Sequence, residues 1–447
     1  MAGSGTWTAQ NKVLPGVYIN FTSNAGTRST DTRTGTVTTA QLLSWGPAAE
    51  VMEITPETDT TKLTGYPLTD SNNLFLQQMF LGTNRSSGAS KVLLYRLPAT
   101  GWAKASVTTG NLTATAKYYG ARGNDITIVI TANLDGTTFN VSTLLDGVAV
   151  DVQTSCATVA DLVNNDWVAF TGEGALAATA GAPLVDGSDG TSSSVTALSD
   201  FLTAIEPYKF NILCCDLDDS TVRGAAEAFI RAQNEQNGQY CQLVECNGTS
   251  PDSRYVVNVT TGATLADETE LTAAKVTHWV SGALAGASFN QSLTNATFPG
   301  AADTDLMTVT EQAEALNSGE FILAEDNGRV YIVQDINSLT TYNSDITEVY
   351  RYNRTMRLCN KIANDLFTDF SENYIGIVNN NSAGRAQFKS SVVGYLLDVQ
   401  NSNGIQNFTA DDVAVEAGES IDAVVVNLAV QPVGTVEKIY MTISMNA

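Results

Sequence analysis

The chain has 447 residues, with 47 acidic and 23 basic side chains, one histidine and a formal charge of -24. That balance excludes a binder of nucleic acid or anionic lipid, both of which need a net cationic surface, and one imidazole excludes His-rich zinc sites. Charged residues make up only 16%, and a surface rich in short uncharged polar groups suits packing against other subunits, where few charges need desolvating.

A chain of this length is expected to fold as about two to four domains. Its start has no basic segment followed by an apolar one, and no window of about 18 apolar residues occurs, so neither a secretory signal nor a membrane-spanning helix is expected. Residues 1–35 carry Lys12, Arg28 and Arg33 against Asp31 alone, a basic stretch in an acidic protein. Within it, Leu14-Pro15-Gly16 breaks the chain before an alternating strand, with Val17, Ile19 and Phe21 on one side and Tyr18 and Asn20 on the other. No local partner is expected for this strand, which must pair with a distant segment or another chain.

Leu74, Gln77, Gln78 and Leu81 fit one helical face, and Lys91 to Leu97 reads as a buried strand ending at Pro98. From about residue 99 the texture changes to short β runs. Asp125–Ile130 and Thr138–Ser142 flank an Asp135-Gly136 turn, a hairpin signal, and the stretch closes on Asp186-Gly187-Ser188-Asp189-Gly190. From Val195 the rhythm is α/β. The strand Phe210–Cys215, a helix with Ala226, Phe229, Ile230 and Gln233 at helical spacing, and the strand Tyr240–Val244 make one βαβ unit. The six cysteines show no CxxC spacing, and Cys214 and Cys215 sit inside an apolar run, so buried thiols of a protein made in a reducing cytoplasm are expected.

The last hundred or so residues form a third unit. Arg351, Arg354, Arg357 and Lys361 are spaced to share one helical face, with Met356, Ile362 and Ala363 opposite and no acid between residues 350 and 364. This basic face is expected to dock an acidic partner. A second helix is read over Val392–Asp398. Then Val424, Val426, Leu428 and Val430 alternate, Gln431-Pro432-Val433-Gly434 breaks the chain, and Ile439, Met441, Ile443 and Met445 alternate again. The fold class is therefore α/β (α+β) and multidomain. It divides into an arm (1–22), an α/β domain in two parts (23–98 and 193–345), an inserted β-rich domain (99–192) and a C-terminal domain (346–447).

Chemistry-bearing residues are few. Asp216, Asp218 and Asp219 follow the C-terminal end of a buried strand, where α/β sheets place ligands and paired carboxylates hold Mg²⁺. The competing and favoured interpretation is a helix-capping acidic turn. His278 lies in a helical stretch with no nucleophile motif near it and is expected to be a packed core residue. Gly120-Ala121-Arg122-Gly123 enters a strand rather than a helix, so it reads as a tight turn and not a phosphate loop. No catalytic residue, metal or cofactor is expected.

Several segments together resemble the contractile tail sheath proteins of bacteriophages, particularly those of Gram-positive phages, defective prophages and phage-tail-like bacteriocins. They are Leu14-Pro15-Gly16-Val17-Tyr18, Tyr119-Gly120-Ala121-Arg122-Gly123-Asn124-Asp125-Ile126, Ser281-Gly282-Ala283-Leu284-Ala285-Gly286 with Asn290-Gln291-Ser292-Leu293-Thr294, Asp335-Ile336-Asn337-Ser338-Leu339-Thr340-Thr341, and Val430-Gln431-Pro432-Val433 with Glu437-Lys438-Ile439-Tyr440. The resemblance implies a subunit that stacks as hexameric rings into a helical homopolymer around a tail tube and contracts when the baseplate triggers. Its partners would be itself, the tube, the baseplate and the tail terminator, in a virion tail assembled in the bacterial cytoplasm. It also implies exchange of terminal strands between subunits. That assigns Val17, Tyr18, Ile19, Asn20 and Phe21 and, at the other end, Val424, Val426, Leu428, Val430, Ile439, Tyr440 and Met441 to the exchange. Arg351, Arg354, Arg357 and Lys361 are then expected to face the tube. The alternatives are a sheath of a related injection or type VI secretion system and, less favoured, an enzyme using Asp216, Asp218 and Asp219.

Overall fold

The computed structural model describes residues 3–5, 16–18, 35–191 and 195–442. Its centre is a seven-stranded sheet in the order Glu320–Phe321, Val256–Val259, Gln242–Cys246, Ile212–Cys215, Thr36–Gln41, Lys91–Arg96, Val51–Ile54. All neighbours run parallel except the antiparallel edge strand Val51–Ile54. Parallel strands are buried on both faces, which is why Ile212-Leu213-Cys214-Cys215 reads as an unbroken apolar run. Ile212 and Cys214 join one core with the helices Leu74–Leu81 and Ala273–Gly286. Leu213 and Cys215 join a second core with the helices Val195–Ile205 and Ser220–Glu235. The small-residue run of Ser281–Gly286 lets the central helix meet the chain around Met79 closely, because a Cβ at Gly282 would lie 1.9 Å from the Met79 carbonyl oxygen.

Between Arg96 and residue 195 the chain builds two small antiparallel sheets. One orders Val148–Cys156, Phe139–Leu145, Ile126–Ala132 and Thr179–Pro183; the other orders Val168–Thr171, Leu112–Ala116 and Ser106–Thr109. The Asp135-Gly136 turn closes the expected hairpin, Asp135 accepting hydrogen bonds from the Thr137 and Thr138 amides. The Tyr119–Ile126 motif fastens this region to the α/β sheet. Arg122 donates to the Gly65 carbonyl at 2.9 Å, to Asp125 at 2.8 Å and to Asp146 at 2.6 Å, over the face of Tyr66. Gly120 has φ +122°, and a Cβ there would lie 2.0 Å from the Ser44 carbonyl oxygen, so the tight turn needs glycine. Beside it, buried Arg96 donates to the carbonyls of Leu43, Gly46 and Tyr119. Burial pulls its pKa down to about 10, which still leaves it cationic at neutral pH.

The C-terminal region pairs the helices Asn353–Asn373 and Ser382–Asn401 around Leu358, Ile362, Leu396 and Val399. The second helix is thus longer at both ends than the sequence reading. An antiparallel hairpin, Val413–Ala417 with Val424–Leu428, follows.

Candidate assembly site

The four cations of the helix Asn353–Asn373 and the turn before it do not form an open face, and this corrects the expectation of a free basic surface. The helix crosses from its own domain onto the α/β domain, so its first two turns lie in a joint between segments that offer backbone carbonyls and the Asp335 carboxylate. Arg354 is 7% exposed. Its Nε donates to the Asn290 carbonyl at 3.0 Å, Nη2 to the Asn403 carbonyl at 3.0 Å, and Nη1 to the Val433 carbonyl. Burial, and to a lesser degree neighbouring Arg357, lowers the pKa of Arg354. Arg357 donates to the Gln291 carbonyl and to Asp335, each at 2.7 Å; the Arg357 and Asp335 side chains are 9% and 1% exposed. Arg351 donates to the Leu316 carbonyl, and Lys361 to Asp365 at 2.7 Å, one turn along the helix. Residues 350–364 hold no acid, but Asp365 follows on the same helix to take Lys361, and Asp335, which takes Arg357, arrives from elsewhere in the chain.

Asp335 organises the joint. Its Oδ2 accepts from the Leu293 amide at 3.0 Å as well as from Arg357, and its Oδ1 accepts from Asn353 at 3.0 Å. Asn353 also donates to the Ile336 carbonyl and accepts from Gln242 at the start of a central strand. A buried carboxylate is tolerable only when paired and hydrogen-bonded, and here it has three donors. The C-terminal tail reaches the same place: Glu437 accepts from Thr294 at 2.9 Å and from Gln334 at 2.8 Å. Three of the motif segments (Asn290–Thr294, Asp335–Thr341 and Val430–Tyr440) therefore meet here. Sequence reasoning missed the joint because each segment alone carries no chemistry; their shared property is the partners they offer to two arginines.

The terminal strands are placed as follows. Gly16–Tyr18, including Val17 and Tyr18, pairs in parallel with Gly3–Gly5, so this strand does have a local partner, contrary to expectation. Ile19, Asn20 and Phe21 lie outside the described residues. Val424, Val426 and Leu428 are paired within the chain to Ala417, Val415 and Val413. Val430 packs against the C-terminal core. Among the described residues the hairpin has only two strands, and Val424 and Val425 are 39% and 46% exposed. A cavity of about 630 Å³ lies beside it, lined by Phe370, Tyr374, Phe388, Val424 and Val426 among others.

The acidic turn after Cys215 divides between two jobs. Asp219 caps the helix Ser220–Glu235 through the Thr221 and Val222 amides, as the capping interpretation expected. Asp218 accepts from Arg223 at 2.5 Å and from Asn247 at 3.1 Å. Asp216 instead turns inward to the His278 ring at 2.9 Å and Gln41 at 3.0 Å. Burial pushes its pKa up, but the hydrogen bonds from His278 and Gln41 outweigh that and hold the carboxyl below the usual range. The His278–Asp216 contact was not foreseen, since 62 residues separate the pair.

Four family descriptions of sheath domains match the chain in order: the N-terminal region of Gp18 domain III over residues 34–97, the β-sandwich domain over 100–189, the central domain over 192–338 and the C-terminal domain over 345–446. The phage-like element PBSX protein XkdK of Bacillus subtilis is 32% identical, with all of both chains covered. The chain belongs to the phage tail sheath family. The fold agrees. The solved sheath tail protein of Desulfitobacterium hafniense matches with a TM-score of 0.85 and 38% identity over 95% of this chain and 99% of that one. That of Listeria innocua matches with a TM-score of 0.77 and 31% identity over 93% and 96%. Sheath membership makes this a structural protein of a phage tail.

Proposed function

We propose that this sheath subunit polymerises as stacked hexameric rings around a tail tube and shortens by repacking to drive the tube through a target envelope. The observation that carries the proposal is the C-terminal hairpin, a two-stranded sheet with exposed valines beside an apolar cavity. An isolated hairpin is marginal in water and its free edge accepts another strand. A terminal segment of a neighbouring copy, basic at the N-terminus and meeting a strongly acidic C-terminal region, fits that edge in hydrogen bonding and charge. A contact between unlike surfaces of identical subunits closes into a ring where the rotation allows and otherwise propagates as a filament.

No cofactor is required for the stroke. If the two packings differ by a few kcal/mol per subunit, many subunits add to a one-way driving force. The tube, baseplate and terminator are the partners this reading requires. Of the four cations expected at the tube, the two deepest are committed to carbonyls and Asp335, so they serve it only by holding the helix in place. Negative-stain microscopy tests the proposal. The full chain is expected to form long tubular sheaths, and a chain lacking Met1–Phe21 only short oligomers with an unchanged melting temperature. Long sheaths from the shortened chain would remove strand exchange as the assembly device.

A further inference from the structure

A cavity between the two C-terminal helices takes no part in the assembly reading. It holds about 200 Å³ and is walled by Asp365, Leu366 and Asp369 of Asn353–Asn373, by Tyr395 and Asp398 of Ser382–Asn401, and by Phe289 from the α/β side. Asp365 and Asp369 stand one turn apart on the same helical face. Lys361, one turn earlier, donates to Asp365 at 2.7 Å, with its ammonium 5.6 Å from the Phe289 ring centre. Tyr395 donates to the same Asp365 oxygen, Oδ2, at 2.8 Å. The other oxygen, Oδ1, has no hydrogen-bond partner among the described residues, although Asp365 is only 8% exposed. Asp369 accepts from Asn373 at 2.8 Å and from Ser391 at 3.3 Å, both neutral donors. A buried carboxylate oxygen left without a donor is costly, and one ammonium faces two carboxylates here even before Asp398 is counted.

We propose that this cavity binds an alkylammonium group, either the head of a free diamine or polyamine or the end of a lysine side chain on a neighbouring molecule. The chemistry follows from the walls. The carboxylates repel an anion. Among the described residues no group of three acidic, His or Cys side chains is arranged to hold a metal ion, so a cation that brings its own apolar stem fits better than a bare one. An ammonium head has three N–H donors, enough to serve Asp365 Oδ1 and Asp369 together. Its methylenes would lie along Leu366 and Val399, as long cationic side chains lay their stems on apolar surface. The ring of Phe289 adds the attraction of an aromatic face for a desolvated cation. Lys361 is the precedent within the chain: an alkylammonium that the same walls already seat.

The probe is n-butylammonium, a lysine-like stem without a backbone, titrated into the full chain by calorimetry. Saturable binding at a single site per chain is expected, with ammonium (no stem) and n-butanol (no charge) each about tenfold weaker or worse. Asp369→Asn keeps the shape of the wall and removes one charge, and it should weaken n-butylammonium by about tenfold. Lys361→Met withdraws the resident ammonium and should tighten the probe by about threefold, a shift in the opposite direction that a loosened fold does not produce. That variant decides the matter if Asp369→Asn folds poorly. Equal affinity in the parent and Asp369→Asn, or weaker binding by Lys361→Met, would overturn the proposal. Sheath formation in saturating n-butylammonium then separates the two sources. A yield that falls for the parent and not for Asp369→Asn identifies a neighbour's lysine as the native occupant, and an unchanged yield identifies a free amine.

Discussion

The α/β domain and the C-terminal region make opposite uses of apolar side chains. In the first, both faces of a parallel sheet are covered by helices, and the strand Gln242–Cys246 is buried at every position. In the second, a hairpin keeps valines at the surface and the tail carries three exposed bulky residues, Ile439, Tyr440 and Met441. A region that satisfies itself carries stability, and a region that does not carries assembly. The joint around Asp335 lies between the two and couples them. Substitutions on either side should therefore separate melting from polymerisation.

The largest effect on stability is expected at the coupling itself. Asp335→Ala leaves Arg357 buried without its carboxylate and strips Asn353 and the Leu293 amide of an acceptor. Breaking a buried pair in this way costs roughly 3–5 kcal/mol. Chemical denaturation should show a midpoint shift of that size. A loss under 1 kcal/mol would mean that the joint is not what holds the two regions together.

The sequence made the self-satisfied region more legible than the other. Phe210–Cys215 and the Ala226/Ile230 spacing predict a strand and a helix that the structure contains, because apolar periodicity reports burial directly. The Asp135-Gly136 hairpin was legible for its turn chemistry. The basic helix was legible as a helix and misread as a surface. Four cations without a nearby acid look exposed only while the chain is read locally, and Asp335, Asn290 and Val433 reach them from 19 or more positions away from Arg354 in sequence. The same distance hid His278 and Asp216 from each other. At the tail, alternation predicted two equivalent strands; Val424–Leu428 is paired, whereas Ile439–Met441 is in no strand among the described residues, and Ile443 and Met445 lie outside them. Period-two patterning cannot tell a strand satisfied within the chain from one awaiting a partner.

A second test concerns a place where the α/β domain is not self-satisfied. Glu245 is fully buried in a central strand, and neither carboxylate oxygen has a hydrogen-bond partner among the described residues. Burial, and then the nearby Glu227 carboxylate, push its pKa up to about 8, with Arg223 opposing. The folded state therefore holds a proton that the unfolded chain releases near its ordinary value of 4.5. Stability from this group is fully present below that value, falls as pH rises through the window, and levels off above about 8. At 1.36 kcal/mol per unit, a rise from 4.5 to about 8 makes the loss roughly 5 kcal/mol. Glu245→Gln should flatten this part of the pH profile, and equal slopes for variant and parent between pH 5 and 9 would refute the assignment.

The smallest effect on stability is expected in the C-terminal hairpin, and it sharpens the contrast most. Val425→Ser replaces a half-exposed apolar side chain on an outer strand that is already paired to Glu416 within its own subunit. Surface substitutions away from special features usually change stability by no more than about 0.5 kcal/mol, so the melting curve should scarcely move. In the polymer, a third strand laid along Val424–Leu428 would bring that position against a neighbour's backbone and apolar side chains, and serine there gives up cross-strand packing worth roughly 0.2–1 kcal/mol per pair. One such loss is trivial in a monomer. Repeated at every interface of a filament, it makes each addition less favourable, so the critical concentration should rise several-fold while the melting curve stays put. Sedimentation of sheaths across a dilution series reads this directly. An unchanged critical concentration would place the neighbour's strand elsewhere and leave the exposed valines without an assembly role.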